Sequence, residues 1–224
     1  MAIFLIPNSV WCYHVRTTQL PSHLPYLDLS LTCLSHIRHV LQARSPALPD
    51  ESGRGHAAVA AILQEVEAGL ELLFIERARH SDDPWSGHIA FPGGKVEAAD
   101  TGPRDAAERE TREELGLTLS PNRYLGQLDD VTGHTLPVCV SGFVYVVETP
   151  GPMVLNDEVE EAFWVPLDHL TDPARREIRE YRYRGVAQDH PTIDLLGRPP
   201  YLWGITYRFV RQFLRLLNCD SGLS

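Results

Sequence analysis

The chain has 224 residues, 43% hydrophobic and 22% charged, which suits a packed domain with appendages and excludes a disordered polymer. Twenty basic residues against 30 acidic ones give a formal charge of −10. That balance, with no basic run, excludes broad nucleic-acid binding and adhesion to an anionic membrane surface, so an anionic small substrate needs a local basic patch or a bound cation.

The opening MAIFLIPNSVWCYHV holds a short apolar run without a basic start or an A-x-A cleavage site. It falls far below the roughly 20 apolar residues of a membrane span and reads as a weakly structured lead-in. Cys12, Cys33, Cys139 and Cys219 are scattered with no CxxC pair. That spacing argues against a zinc site or a disulfide framework and favours a reducing cytoplasm. Leu29–Ala43 carries Leu31, Leu34, Ile37 and Leu41 at helical spacing and predicts an amphipathic helix. RSPALPDESGRG follows as a linker. Residues 1–54 are therefore expected to form an N-terminal extension, and 55–224 one domain.

AAVAAIL and LELLFIERA flank a polar turn at Glu67–Gly69 and predict a strand pair. After an acidic stretch, YLGQLDDV, VCVSGFVYVVE and EAFWVPL predict further strands. YLWGITYRFVRQFLRLL puts Trp203, Tyr207, Val210, Leu214 and Leu217 on one face of a C-terminal helix. Mixed strands and helices make an α/β protein.

Five carboxylates lie between Asp105 and Glu114. Pro103 suits a first helical turn, RDAAERETREEL contains no breaker, and Gly116 marks a stop. At about 100° per residue, Glu113 and Glu114 fall within about 60° of Glu110, while Ala107, Thr111 and Leu115 form an adjoining stripe that can pack on a sheet. Arg109 and Arg112 could make this a solvated helix laced with ion pairs. Three carboxylates on one face also suit a hard cation such as Mg²⁺.

The flanking residues choose between these readings. Gly93–Leu117, GGKVEAADTGPRDAAERETREELGL, resembles the signature of the Nudix hydrolases, G-x5-E-x7-R-E-U-x-E-E-x-G-U, where U is a bulky apolar residue. Arg109–Leu117 matches its second half with Thr111 at the first apolar place. In the first half Asp100 stands for the first Glu, with one extra residue before Arg109. AFPGG upstream also follows the family. The resemblance implies an α/β/α sandwich around a mixed sheet, with the N-terminal helical extension appended, and hydrolysis of a diphosphate linked to another moiety. It makes Glu110, Glu113 and Glu114 ligands of Mg²⁺ or Mn²⁺ with the backbone carbonyl of Gly93, and gives Arg109 a structural role through Asp100. The same carboxylates are catalytic candidates. The general base is a Glu of this box or of a later loop; NDEVEEAFWV offers Glu158, Glu160 and Glu161, and Glu158 is favoured.

LLFIERA, SGHIAFPGG and PPYLWGITYRFV resemble segments of the coenzyme A pyrophosphatase subgroup. The expected reaction therefore splits coenzyme A or its thioesters into 3′,5′-ADP and (acyl-)4′-phosphopantetheine. Arg77 and Arg79 are the substrate-binding candidates; Asp83 and Trp85 replace the subgroup's usual basic approach. The alternatives are ADP-ribose, a dinucleotide or a nucleoside triphosphate as substrate, and, from another class, a non-catalytic nucleotide sensor. The intact Arg109–Glu114 run argues against the sensor. A homodimer is entertained without a residue pattern to carry it.

Overall fold

A computed structural model describes residues 34–49, 53–79, 86–133, 137–148, 150–183 and 186–217. The lead-in, Leu31, Asp83 and Trp85 lie outside them. Strands β1 (Gly55–Val66) and β7 (Val138–Val147) run parallel, with Gly55 opposite Val138 and Gln64 opposite Val147. Both are apolar on both faces, as a strand covered on two sides requires. β2 (Gly69–Arg77) turns back antiparallel on the end of β1, with Val66 opposite Gly69, so the polar turn joins a hairpin.

The remaining strands attach to this frame. β3 (Ile89–Ala90) and β8 (Val159–Pro166) pair with β2, and β4 (Gly93–Lys95) pairs with the first half of β1. β5 (Tyr124–Gln127) and β6 (Val131–Thr132) pair with β7. These pairs are antiparallel, so the eight-stranded sheet is mixed. Helix α2 (Pro103–Leu115) covers one face, where Ala106, Ala107 and Leu115 meet Ile62, Leu73, Ile75 and Tyr145. The other face packs Leu63, Phe74 and Val144 against α1 (Leu34–Gln42) and α4 (Gly204–Leu216). The result is an α/β/α sandwich. Helix α4 buries Tyr207, Phe209, Val210, Phe213 and Leu214, each worth about 1.5–3 kcal/mol of burial.

Helix α1 is part of this core. Ile37 and Leu41 are fully buried in it, and a Cβ on Gly126 of β5 would come within 2.6 Å of the Leu41 Cβ. The irregular residues that follow are fastened to the β5–β6 loop. Arg44 donates to the Gln127 carbonyl at 2.9 Å and pairs with the Asp129 carboxylate, which also accepts the Ala47 N–H.

The short helix α3 (Leu167–Thr171) and the separate hairpin of β9 (Arg176–Tyr183) and β10 (Val186–Ile193) complete the order. The sequence reading assigned neither. Among the described residues no helix is long and apolar enough to cross a membrane.

Candidate active site

Helix α2 ends as its sequence dictates, with Gly116 in the left-handed conformation at φ 66° and its N–H bonded to the Arg112 carbonyl. Thr111, where a bulky apolar residue would be expected, is fully buried because its hydroxyl donates to the Ala107 carbonyl at 2.7 Å. With that stripe on the sheet, Glu110, Glu113 and Glu114 share a flank but differ in environment. Their side chains are 16%, 49% and 1% exposed.

Glu114 is the most constrained. Its Oε2 accepts the Gly93 N–H at 2.9 Å, while its buried Oε1 has no hydrogen-bond partner and lies 4.0 Å from Arg77 Nη1. Its carboxyl is pushed up to about 8, chiefly by burial, with the Gly93 bond and the Arg77 charge opposing and the charges of Glu110 and Glu158 adding. Glu110 lies tight on Gly94, where a Cβ would fall 2.3 Å from its Oε1. Beside it, a Cβ on Gly93 would fall 2.2 Å from the Ala58 carbonyl oxygen. The glycine pair is therefore what allows β4 to run between β1 and the helix. Burial raises the Glu110 carboxyl too, against its Arg109 bond, with the charges of Glu113 and Glu158 adding.

Arg109 braces the loop before the helix. Its Nε and Nη2 grip both oxygens of Asp100 at 2.9 and 3.1 Å, and Nη2 also donates to the Lys95 carbonyl. Nη1 reaches Glu110 and Glu113 at 3.0 Å each. Asp100 thus closes the loop as a fork partner of arginine.

A second loop lies along the C-terminal turn of α2. Val154 N–H donates to Leu115 and Asn156 N–H to Glu114, both at the backbone. Glu158 is exposed, caps its own turn through Asn156, and gives its carbonyl to the Ala78 N–H at 2.8 Å. Its charge is felt by both Glu110 and Glu114. Glu161 instead receives Arg198 Nη2 at 2.8 Å.

Of the two arginine candidates, only Arg77 stands beside Glu114. Arg79 lines a cavity of about 530 Å³ with Glu76, Ala78, Glu160, Glu161 and Arg198. Arg198, which sequence reasoning passed over, also reaches the buried Glu76 at 3.3 Å. A second missed feature is aromatic: Trp203 stacks on Tyr181 at 4.0 Å and meets His88 edge-on at 5.1 Å. His88 in turn accepts the Arg77 N–H at its carbonyl. The WGIT stretch was a signal for Trp203; Arg198 had none.

The donor set suits a divalent cation. Glu114 Oε1 is a buried carboxylate oxygen without a hydrogen bond, which is costly until a cation meets it. Arg109 draws Glu110 and Glu113 aside, and the three carboxylates do not close into a cage within 4.8 Å. A loose all-oxygen face fits Mg²⁺, which keeps waters and needs only one or two carboxylates plus substrate phosphates.

An α/β/α sandwich with carboxylates on a loop–helix–loop and an arginine beside them has the make-up of a hydrolase of phosphoric anhydrides. Residues 54–185 match the NUDIX domain, and the chain belongs to that family. A mitochondrial coenzyme A diphosphatase of Homo sapiens is 30% identical over 165 residues, covering 72% of this chain and 69% of that protein. A probable nudix hydrolase of Schizosaccharomyces pombe is 27% identical over 201 residues, covering 88% of this chain and 69% of its own. A MutT/nudix family protein from Enterococcus faecalis shares the fold, with a TM-score of 0.53 at 17% identity over 87% of this chain and 76% of that one. The protein is a Nudix pyrophosphatase, of a family whose hydrolases act on small nucleotide-linked substrates and generally need divalent metals.

Proposed function

We propose that this protein hydrolyses the diphosphate of coenzyme A or its thioesters, giving 3′,5′-ADP and (acyl-)4′-phosphopantetheine, with Mg²⁺ or Mn²⁺. The observation that carries the reading is the meeting of two coenzyme A-like segments far apart in sequence. Trp203 of the WGIT segment contacts His88 of the GHIAFPGG segment, and His88 holds the end of the strand bearing Arg77. The 30% identity to a coenzyme A diphosphatase supports it as well.

Glu110, Glu113, Glu114 and the Gly93 carbonyl are the residues that would hold the cation. When bound, it neutralises charge on the phosphate oxygens and lowers the pKa of a water. Arg77 binds a phosphate oxygen beside Glu114. Glu158, exposed and within electrostatic reach of Glu110 and Glu114, takes the proton as the water oxygen attacks phosphorus. The P–O bond to the bridging oxygen breaks, and the leaving phosphate carries away the electron pair. Arg109, gripping Asp100, keeps the loop and the helix flank in register. A cytoplasmic setting is part of the proposal, resting on the scattered cysteines.

The test is hydrolysis of a panel with Mg²⁺: coenzyme A, dephospho-coenzyme A, ADP-ribose, dinucleotides and nucleoside triphosphates, with products read by mass spectrometry. 3′,5′-ADP and 4′-phosphopantetheine are expected, at the highest kcat/KM of the panel. A higher kcat/KM for ADP-ribose would reject the coenzyme A reading.

A further inference from the structure

Among the described residues, one group of three potential metal ligands has all its donor atoms within 4.8 Å of one another, and it is not on α2. It is His56, Asp130 and Cys139. They come from three elements. His56 is the second residue of β1 and Cys139 the second of β7, directly opposite each other in the parallel ladder, so both side chains leave the same face. Asp130 stands just before β6, whose Thr132 pairs with Cys139. The Cys139 thiol is fully buried, while His56 and Asp130 are half-buried and reachable from solvent.

The sulfur and the carboxylate, joined by a hydrogen bond here, are spaced close to the separation they would have in a bound centre. Cys139 Sγ lies 3.9 Å from Asp130 Oδ2. A tetrahedral zinc ion with bonds of about 2.3 Å to sulfur and about 2.1 Å to oxygen holds those two atoms about 3.6 Å apart. The supporting bonds are also in place. Gln127 Nε2 donates to the other oxygen of Asp130 at 3.2 Å, and His56 Nε2 is 3.0 Å from the hydroxyl of Ser141, itself fully buried. Such outer partners orient metal ligands. One sulfur, one imidazole and one carboxylate make a mixed set that selects a zinc-class ion over Mg²⁺, the reverse of the all-oxygen flank of α2. Without a metal, the same residues would be a polar knot at the strand ends, and an experiment separates the two.

We propose that His56, Asp130 and Cys139 form a second divalent-metal site, of zinc type, with three protein ligands and a fourth position for water. It would clamp β1 to β7 and the β5–β6 loop. The His56 carbonyl accepts the Val96 N–H at 3.0 Å, so the clamp sits at the root of the loop that carries Asp100. The absence of a CxxC pair argued against zinc from sequence alone, yet sheet register brings the ligands together instead.

The test uses the full chain stripped with chelator, in excess Mg²⁺, titrated with Co²⁺ as a coloured stand-in for zinc. Expected are the visible bands of tetrahedral Co²⁺ with a near-ultraviolet thiolate charge-transfer band, displaced by Zn²⁺. Glu114→Gln should keep these signals and Cys139→Ser should lose the charge-transfer band. His56→Gln, at a half-buried position, should weaken Co²⁺ binding at least ~10-fold. Absence of a thiolate band, its persistence in Cys139→Ser, or its loss in Glu114→Gln would overturn the proposal. Should Cys139→Ser not fold, undiminished Co²⁺ affinity in His56→Gln overturns it alone.

Discussion

Glu114 carries opposed demands: its position on α2 buries it, while its proposed chemistry requires the anion. One oxygen is tied to Gly93 and the other has no hydrogen bond, so a neutral Gln can keep the first contact and cannot meet a cation with the second. Glu114→Gln is therefore expected to lower kcat at least ~10²-fold, the scale for removing an electrostatic group at the reacting centre. Glu67→Gln, in the exposed β1–β2 turn, is the matching control; equal kcat in the two variants would remove Glu114 from the site. On the proposed reading Arg77 meets the diphosphate beside Glu114, and discrimination falls to Arg79 in the neighbouring cavity. Coenzyme A bears a 3′-phosphate that dephospho-coenzyme A lacks, and one charge-assisted hydrogen bond corresponds to a preference of about 10-fold in kcat/KM. Arg79→Ala should shrink that ratio while hydrolysis persists, whereas Arg77→Ala, beside Glu114, should lower kcat/KM for both substrates alike. A ratio unchanged in Arg79→Ala would give the 3′-phosphate to Arg198, which shares the cavity with Arg79.

Helix α2 is also anchored on the flank away from Glu110, Glu113 and Glu114, by a contact that its sequence does not announce. Helical geometry puts Glu108 about 160° from Glu110, which predicts an indifferent position. In the structure its carboxylate accepts the hydroxyl of fully buried Tyr145 at 2.6 Å and lies 3.5 Å from Arg104 Nε. Tyr145→Phe is expected to cost about 1–3 kcal/mol of stability, read by urea denaturation, because it strips a hydrogen bond from a charged, largely covered group; a loss below about 0.5 kcal/mol would show that the bond does not anchor the helix. A wheel gives an angle and says nothing of what lies opposite. The same limit applies to α1: the spacing of Ile37 and Leu41 announces a face but not its partner, so a division at residue 54 cuts through packing against β5. Leu41→Ala should cost about 2–5 kcal/mol by the same measurement. What was legible had a strong local signal, as with the strand pair at Glu67–Gly69, the Pro103 and Gly116 ends of α2, and the apolar stripe of α4. The β9–β10 hairpin had none, since Arg176, Glu177, Arg179 and Glu180 hide any period of two.

Across the chain, these local facts converge on how stability responds to metal and pH. A formal charge of −10 and a buried carboxyl raised to about 8 both make the metal-free fold sensitive to deprotonation. The sign follows from where Glu114 holds its proton. An ordinary carboxyl in the unfolded chain releases it near pH 4.5, whereas the metal-free folded state keeps it to about pH 8. Between those values the folded state binds more protons, so stability falls as pH rises and levels off above about 8. The Glu114 share of this fall is at most about 5 kcal/mol. With chelator present, the Tm should decline from pH 5.5 to 8, and Glu114→Gln should flatten the decline, since Gln has no proton to lose. Added Mg²⁺ should raise the Tm more at pH 8 than at pH 5.5, because a cation competes with the proton for the same oxygen. Activity should vanish in chelator and return with Mg²⁺ or Mn²⁺. Thermal scans of the two proteins, with and without Mg²⁺ at each pH, decide the matter: parallel Tm curves for wild type and Glu114→Gln would show that this carboxyl does not link folding to metal.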